Sequence, residues 1–173
     1  MRRFLYLLGL PILITAVSCR SPEDRRAYEI GHLEIAAETY GSLLPTVSQV
    51  DLFAFGESAD YKTNIFRLRY SKTDSFAFTN HITLRGKAAE EFAGKWRRLT
   101  FGWGYQSMCF EPAFGMRFSS DEKCVFETAV CLHCTGFTVP VGGGSAVTGF
   151  NSRTPNFQVF SNSLVQSFEP RKP

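Results

Sequence analysis

The spacing of apolar side chains changes period several times along the chain, and each change marks an element. Ile30, Leu33, Ala37 and Tyr40 recur at helical spacing and stop at Gly41. Ahead of them Ser21-Pro22-Glu23-Asp24 offers an N-cap serine, a proline for the first turn and two acids where the helix dipole favours them, so a first helix is predicted from about Pro22 to Tyr40. From Val50 the period shortens. Val50–Phe55 and Ile65–Tyr70 are short β-branched or aromatic runs, the second alternating Phe66, Leu68 and Tyr70 against Arg67 and Arg69, and Phe76–Leu84 is a less regular third strand. Gly86–Leu99 returns to helical spacing, with Ala89, Phe92, Trp96 and Leu99 on one stripe that predicts core.

Beyond that helix, Phe101-Gly102-Trp103-Gly104-Tyr105 reads as a glycine-punctuated loop. Ala113–Ser119 and Cys124–Leu132 read as a hairpin around Ser120-Asp121-Glu122-Lys123, and Phe137–Val141 extends the sheet. Thr154-Pro155 opens a last helix whose Phe157, Phe160, Leu164 and Phe168 must dock on the sheet. The expected fold is a single α+β domain, a mainly antiparallel sheet with about three helices.

The N-terminus adds an address. Arg2 and Arg3 precede an apolar run from Phe4 to Val17, broken only by Thr15, and Ala16-Val17-Ser18 places small residues before Cys19. The run falls short of the roughly 20 residues that span a bilayer as a helix, so it predicts a cleaved export signal over residues 1–18 and a mature domain over 19–173. Ile14-Thr15-Ala16-Val17-Ser18-Cys19 resembles the lipobox of bacterial lipoproteins, with Ala16 where leucine is usual. That resemblance implies a diacylglycerol on the sulfur of Cys19 and an acylated amine beside it, hence firm attachment to a membrane. An ordinary secretory signal would be cut at the same bond. Arg20 is not the aspartate that, in enteric-type sorting, retains lipoproteins at the inner membrane, so an outer-membrane position in the cell envelope is expected.

Charge removes one class of partner. The 19 Lys and Arg against 16 Asp and Glu include Arg2 and Arg3 of the signal, so the mature chain is close to neutral. Arg25-Arg26 and Arg97-Arg98 are pairs and not patches, and no nucleic-acid partner is expected without a clustered basic face. The 17 phenylalanines predict an aromatic core on a sheet.

With Cys19 assigned to lipid, Cys109, Cys124, Cys131 and Cys134 remain, and four cysteines allow three complete pairings. Hairpin register narrows these. Phe118 opposite Cys124 would carry Cys109 to the level of His133, beside Cys131 and Cys134, and would leave Cys124 at the turn, on the order of 23 Å along the strand from Cys131. On that register Cys109–Cys134 is favoured over Cys109–Cys131. The pattern Cys109-x-x-Pro112-x-x-Gly115-x-x-Phe118, then Val125 and Cys131-x-x-Cys134, resembles a signature of uncharacterised bacterial exported proteins. The resemblance spans roughly Ile82 to Phe168 and implies the grouping of Cys109, Cys131 and Cys134, but no activity.

Three grouped thiols admit three chemistries. An oxidising compartment favours a disulfide, one staple contributing about 2 to 4 kcal/mol. A zinc site would combine the thiolates with His133 or His81, and copper(I) would add Met108 and Met116 as soft ligands. Thiol–disulfide exchange lacks its usual setting, since Thr135-Gly136-Phe137 does not open a helix, and Thr135 stands where covalent haem attachment needs histidine. Gly143-Gly144-Ser145-Ala146-Val147 is one glycine short of a nucleophile elbow and reads as a flexible loop. His32 reads as solvated. Asp51, Glu57 and Asp60 flank a turn without the oxygen spacing of a calcium loop. The expectation is therefore a lipid-anchored, non-catalytic binding or structural protein of the envelope with a cysteine cross-link, its partner and any cofactor unknown. The alternative is a metal-binding or thiol-redox lipoprotein using Cys109, Cys131 and Cys134.

Overall fold

The computed structural model describes residues 33, 35–56, 64–102, 110–141 and 144–169. Eight strands form one antiparallel sheet in the order β2-β3-β1-β5-β6-β7-β8-β4. They are β1 (Gln49–Phe55), β2 (Ile65–Arg67), β3 (Ser75–Arg85), β4 (Phe101–Gly102), β5 (Phe114–Ser120), β6 (Lys123–Cys131), β7 (Gly136–Val141) and β8 (Gly144–Phe150). Among the described residues three helices accompany them: α1 over 35–40, α2 (Lys87–Arg97) and α3 (Pro155–Ser167). The α+β class with a mainly antiparallel sheet is thus observed. The part of the first predicted helix before residue 33 lies outside the described residues, as do Cys19, His32, Glu57, Asp60, Met108 and Cys109.

All three helices pack on one face of the sheet because their apolar stripes have a single partner. Ala37 of α1, Ala89 and Phe92 of α2 and Phe160 of α3 share a core with Leu52, Phe118 and Val139 of the strands. Trp96 sits at its centre, fully buried, with its ring 5.2–6.0 Å from the rings of Phe101, Phe118, Phe126, Phe137, Phe150 and Phe160. Its indole N–H donates to the carbonyl oxygen of Tyr40 at 2.8 Å and ties the end of α1 to α2. Arg97 completes the tie by donating to Glu90 at 2.6 Å and to the carbonyls of Leu44 and Pro45, both at 2.7 Å.

The other face carries a second aromatic cluster built on Phe53, Phe66, Leu68 and Ala129. Gly115 lies beneath it: a Cβ there would fall 2.7 Å from the ring of Phe55 and 3.1 Å from that of Phe66, so only glycine lets these rings lie on the strand. Residues 64–74 cross this face as a strap. Here the predicted strand Ile65–Tyr70 is shorter than expected, β2 ending at Arg67, because Ser71 N–H donates to the carbonyl of Leu68 and turns the chain. The strap is tied to the far side of the sheet by Tyr70, whose hydroxyl lies 2.9 Å from Thr138 Oγ1, and by a short hydrogen bond from Ser145 to Asp74.

Two further expectations change. Of the Gly143–Val147 stretch expected as a flexible loop, Gly143 lies outside the described residues and Gly144–Val147 is strand, since residues 144–150 form β8 and pair with β7 from Val141↔Gly144 to Gly136↔Gly149. Phe101 and Gly102, assigned to a loop by their glycines, pair with Phe150 and Gly149 at the sheet edge. In both cases tertiary pairing overrides weak local strand signals.

Candidate binding cleft

The hairpin register decides where Cys124 falls. Asp121 and Glu122 adopt left-handed φ values of 47° and 65°, the backbone of a two-residue hairpin turn. A bulge then intervenes, so Phe118 faces Phe126 and Cys124 faces Ser119. The expected level of Phe118 with Cys124 is therefore corrected, and the disulfide follows a different path. Cys131 and Cys134 are bonded to each other across the β6–β7 turn, with Cα atoms 5.5 Å apart, in place of the Cys109–Cys134 bond favoured from register. Both are nearly closed to solvent, at 3% and 6% exposure, and the N–H of Cys134 points at the Cys131 sulfur at 3.1 Å. His133 between them is exposed. In this form neither sulfur is the thiolate that a zinc site requires, and among the described residues no three His, Cys, Asp or Glu side chains are placed to share an ion. Met116, named as a soft ligand, is core.

The disulfide closes the narrow end of a wedge. β6 and β7 pair only at Val130↔Phe137 and Cys131↔Gly136, then diverge. Side-chain groups take over where a ladder would continue. The N–H of Ala129 donates to Thr138 Oγ1 at 2.8 Å, Thr128 Oγ1 donates to the Thr138 carbonyl at 2.8 Å, and the Tyr70 hydroxyl donates to the Glu127 carbonyl at 3.1 Å. Thr138 turns its carbonyl towards β6, and Pro140, two residues on, faces the same way with no N–H to give. The strands cannot close there.

A cavity of about 290 Å³ occupies the opening. Tyr40, stacked on Phe126 with ring centroids 4.9 Å apart, forms its helix-side wall, while Tyr70, Arg69 and Pro140 line the strap side. Glu127 forms part of the floor. It is 2% exposed, accepts the Arg69 backbone N–H and the Arg117 Nε at 3.0 Å, and lies 3.8 Å from Arg69 Nε. Arg117 is held in turn over the rings of Phe66 and Phe53, at 5.4 and 5.8 Å. Cys124 borders the same cavity as a half-buried free thiol, 3.6 Å from the Phe126 carbonyl and 4.0 Å from Glu127 Oε2. Burial, and then the Glu127 charge, push its pKa up, so it stays protonated and a poor nucleophile. Burial also raises Tyr70 and keeps its hydroxyl a donor.

Asp51 belongs to a separate polar cluster on the strap face. Burial acts to raise its pKa, but hydrogen bonds from Thr83 at 2.6 Å, from Gln49 at 2.9 Å and with His81 at 3.3 Å outweigh this and hold the carboxyl below its usual range. His81 stacks on Phe53, 4.5 Å between centroids. Thr83 donates to the carboxylate and not to the imidazole, so the trio lacks the relay of a nucleophilic triad.

Sequence reasoning missed Arg69, Tyr70, Arg117, Glu127 and Thr138. One signal was present: Glu127 is a lone acid in the apolar run Val125–Val130, and Arg117 lies across the hairpin from it. Compared with protein-family models, curated proteins and solved structures, the chain matches none.

Proposed function

We propose that the protein is a lipid-anchored component of the bacterial cell envelope that acts by binding and not by catalysis. The lipobox-like segment ending at Cys19 supports the anchor. The observation that carries the binding reading is the cleft between β6 and β7, preformed and aromatic-walled, with its reactive groups already spent on one another. Glu127 is committed to Arg117 and the strap, and the Cys124 thiol is held protonated. The Cys131–Cys134 disulfide serves as a structural staple in this reading, because its burial bars attack by a partner thiol.

Two measurements test the proposal. Labelled palmitate is expected in the parent and absent from Cys19→Ala, which leaves the membrane fraction; a variant that fractionates like the parent refutes the anchor. A screen of small-molecule fragments by NMR is expected to shift ring resonances of Tyr40, Tyr70 and Phe126, and hits confined to other surfaces would refute the cleft.

A further inference from the structure

The cleft supports a narrower assignment, which rests on the binding reading above. We propose that it takes a small amphipathic carboxylate, its apolar body between the walls of Tyr40, Phe126 and Tyr70 and its anionic group on the guanidinium of Arg69. The charge balance points to an anion. Glu127 contributes one negative charge and Arg117 and Arg69 two positive ones, and the carboxylate is saturated from inside by the Arg69 N–H and by Arg117 Nε at 3.0 Å. A cation entering the cleft would find no free carboxylate. Arg69, by contrast, approaches Glu127 only through Nε, at 3.8 Å, and its side chain is 63% exposed. Among the described residues its terminal nitrogens make no hydrogen bond, so the edge that grips carboxylates with two parallel bonds is not taken up by Glu127.

The remaining lining is neutral. Burial keeps Cys124 a thiol, Tyr70 uses its hydroxyl on Glu127 and Thr138, and Pro140 offers only a ring and a carbonyl. Specificity for charge therefore rests with Arg69. A volume of about 290 Å³ falls just below the roughly 300–1,000 Å³ of pockets that hold drug-sized molecules, which suits one ring or a short chain and not a diacyl lipid or a folded peptide.

Cys124 supplies a reporter, because a ligand in the cleft shields its sulfur. The full-length protein in detergent is treated with N-ethylmaleimide, and alkylation of the Cys124 peptide is followed by mass spectrometry. Phenylacetate, benzoate and hexanoate at 5 mM (about the concentration that saturates a weak fragment site) are each compared with the matching uncharged amide. At least one carboxylate is expected to slow alkylation about fivefold while its amide does not. The protection should vanish in Arg69→Gln and weaken about tenfold in affinity in Arg69→Lys, which keeps charge but not the bidentate edge. Both variants keep the backbone N–H that holds the strap, and an unchanged melting temperature verifies this. Equal protection by amides, or protection that persists in Arg69→Gln, overturns the carboxylate assignment and leaves the binding reading standing. Protection by none of the six compounds overturns the assignment, and cleft hits in the fragment screen then decide separately whether the binding reading survives.

Discussion

Removing the Glu127 carboxylate should release the strap from the sheet, at a cost that can be worked from its contacts. Glu127 is 2% exposed, and its oxygens hold Arg117 Nε at 3.0 Å and the backbone N–H of Arg69. Glu127→Ala leaves the Arg117 guanidinium wedged over Phe53 and Phe66 with no counter-charge and leaves the Arg69 N–H without an acceptor. Breaking a buried pair from one side costs about 3–5 kcal/mol. Arg117 keeps 24% of its side-chain exposure and regains some hydration, which puts the expected loss near the low end, about 3 kcal/mol. Glu127→Gln retains one acceptor and should lose about 1–2 kcal/mol. Urea unfolding followed by far-UV circular dichroism measures both, and hydrogen exchange should show residues 68–74 losing protection first. The double variant Arg117→Met, Glu127→Leu is the sharper test. Replacing both charges with apolar side chains is commonly near neutral, but the Arg69 N–H still loses its acceptor, so the double variant should lie about 1–2 kcal/mol below the parent and clearly above Glu127→Ala. A double variant as unstable as Glu127→Ala, or a single variant within about 0.5 kcal/mol of the parent, would refute the view that Glu127 is costly to remove because of the charge it leaves behind.

Other expected outcomes concern the core, titration and the staple. Trp96→Ala should lose about 3–5 kcal/mol, and Trp96→Phe less but with faster hydrogen exchange near Tyr40, whose carbonyl loses the indole N–H. Asp51 has a folded-state pKa below its unfolded value, so it contributes stability above the usual carboxylate range that disappears as pH falls through the folded pKa. Urea midpoints from pH 6 to pH 3 should therefore drop less in Asp51→Asn than in the parent. Cys124, with its pKa raised, should be alkylated at pH 8 more slowly than the same thiol in the unfolded chain, and Glu127→Gln should speed the reaction. Cys131→Ser with Cys134→Ser should lose about 2 kcal/mol, the small entropy of a loop this short, which a urea midpoint unchanged from the parent would contradict.

The fold was legible where one physical effect dominated. The stripe of Ala89, Phe92 and Trp96 has a single way to hide, and all three are buried as its period requires. Thr154 caps α3 as expected, accepting the N–H of Phe157 at 3.3 Å. The register error came from a turn that hides its type. Asp121-Glu122 takes left-handed φ values without glycine or asparagine, and the bulge after Cys124 has no residue that announces it. The displacement moves pairing partners by two residues and keeps Cys124 at the turn end, apart from Cys131 and Cys134. Cys109 lies outside the described residues, and the disulfide follows from the tight turn between β6 and β7 and not from the hairpin register. β8 escaped notice because Gly144 and Gly149 dilute its apolar alternation, although Ala146 and Phe150 keep it and both face the core. The cleft was the least legible element, being assembled from α1, the strap, β6 and β7, which share no local pattern.

A gap in the middle of a sheet has to be held open against the tendency of strands to zip. Each ladder hydrogen bond forgone is worth about 1 kcal/mol net, and the larger penalty comes from polar groups left without partners. Here substitutes meet those groups one by one: Thr138 takes the Ala129 N–H, Thr128 satisfies the Thr138 carbonyl, Tyr70 satisfies the Glu127 carbonyl and the Cys124 thiol lies against the Phe126 carbonyl. Pro140 removes the donor that zipping would need, and the disulfide fixes the vertex from which the strands diverge. Tyr70 belongs to the strap, so the side chain that props the wedge is held by the same contacts that bury Glu127. Strap and cleft are for this reason one mechanical unit: loosening Glu127 should widen or collapse the opening as well as lower stability, and occupancy of the cleft should restore protection to residues 68–74.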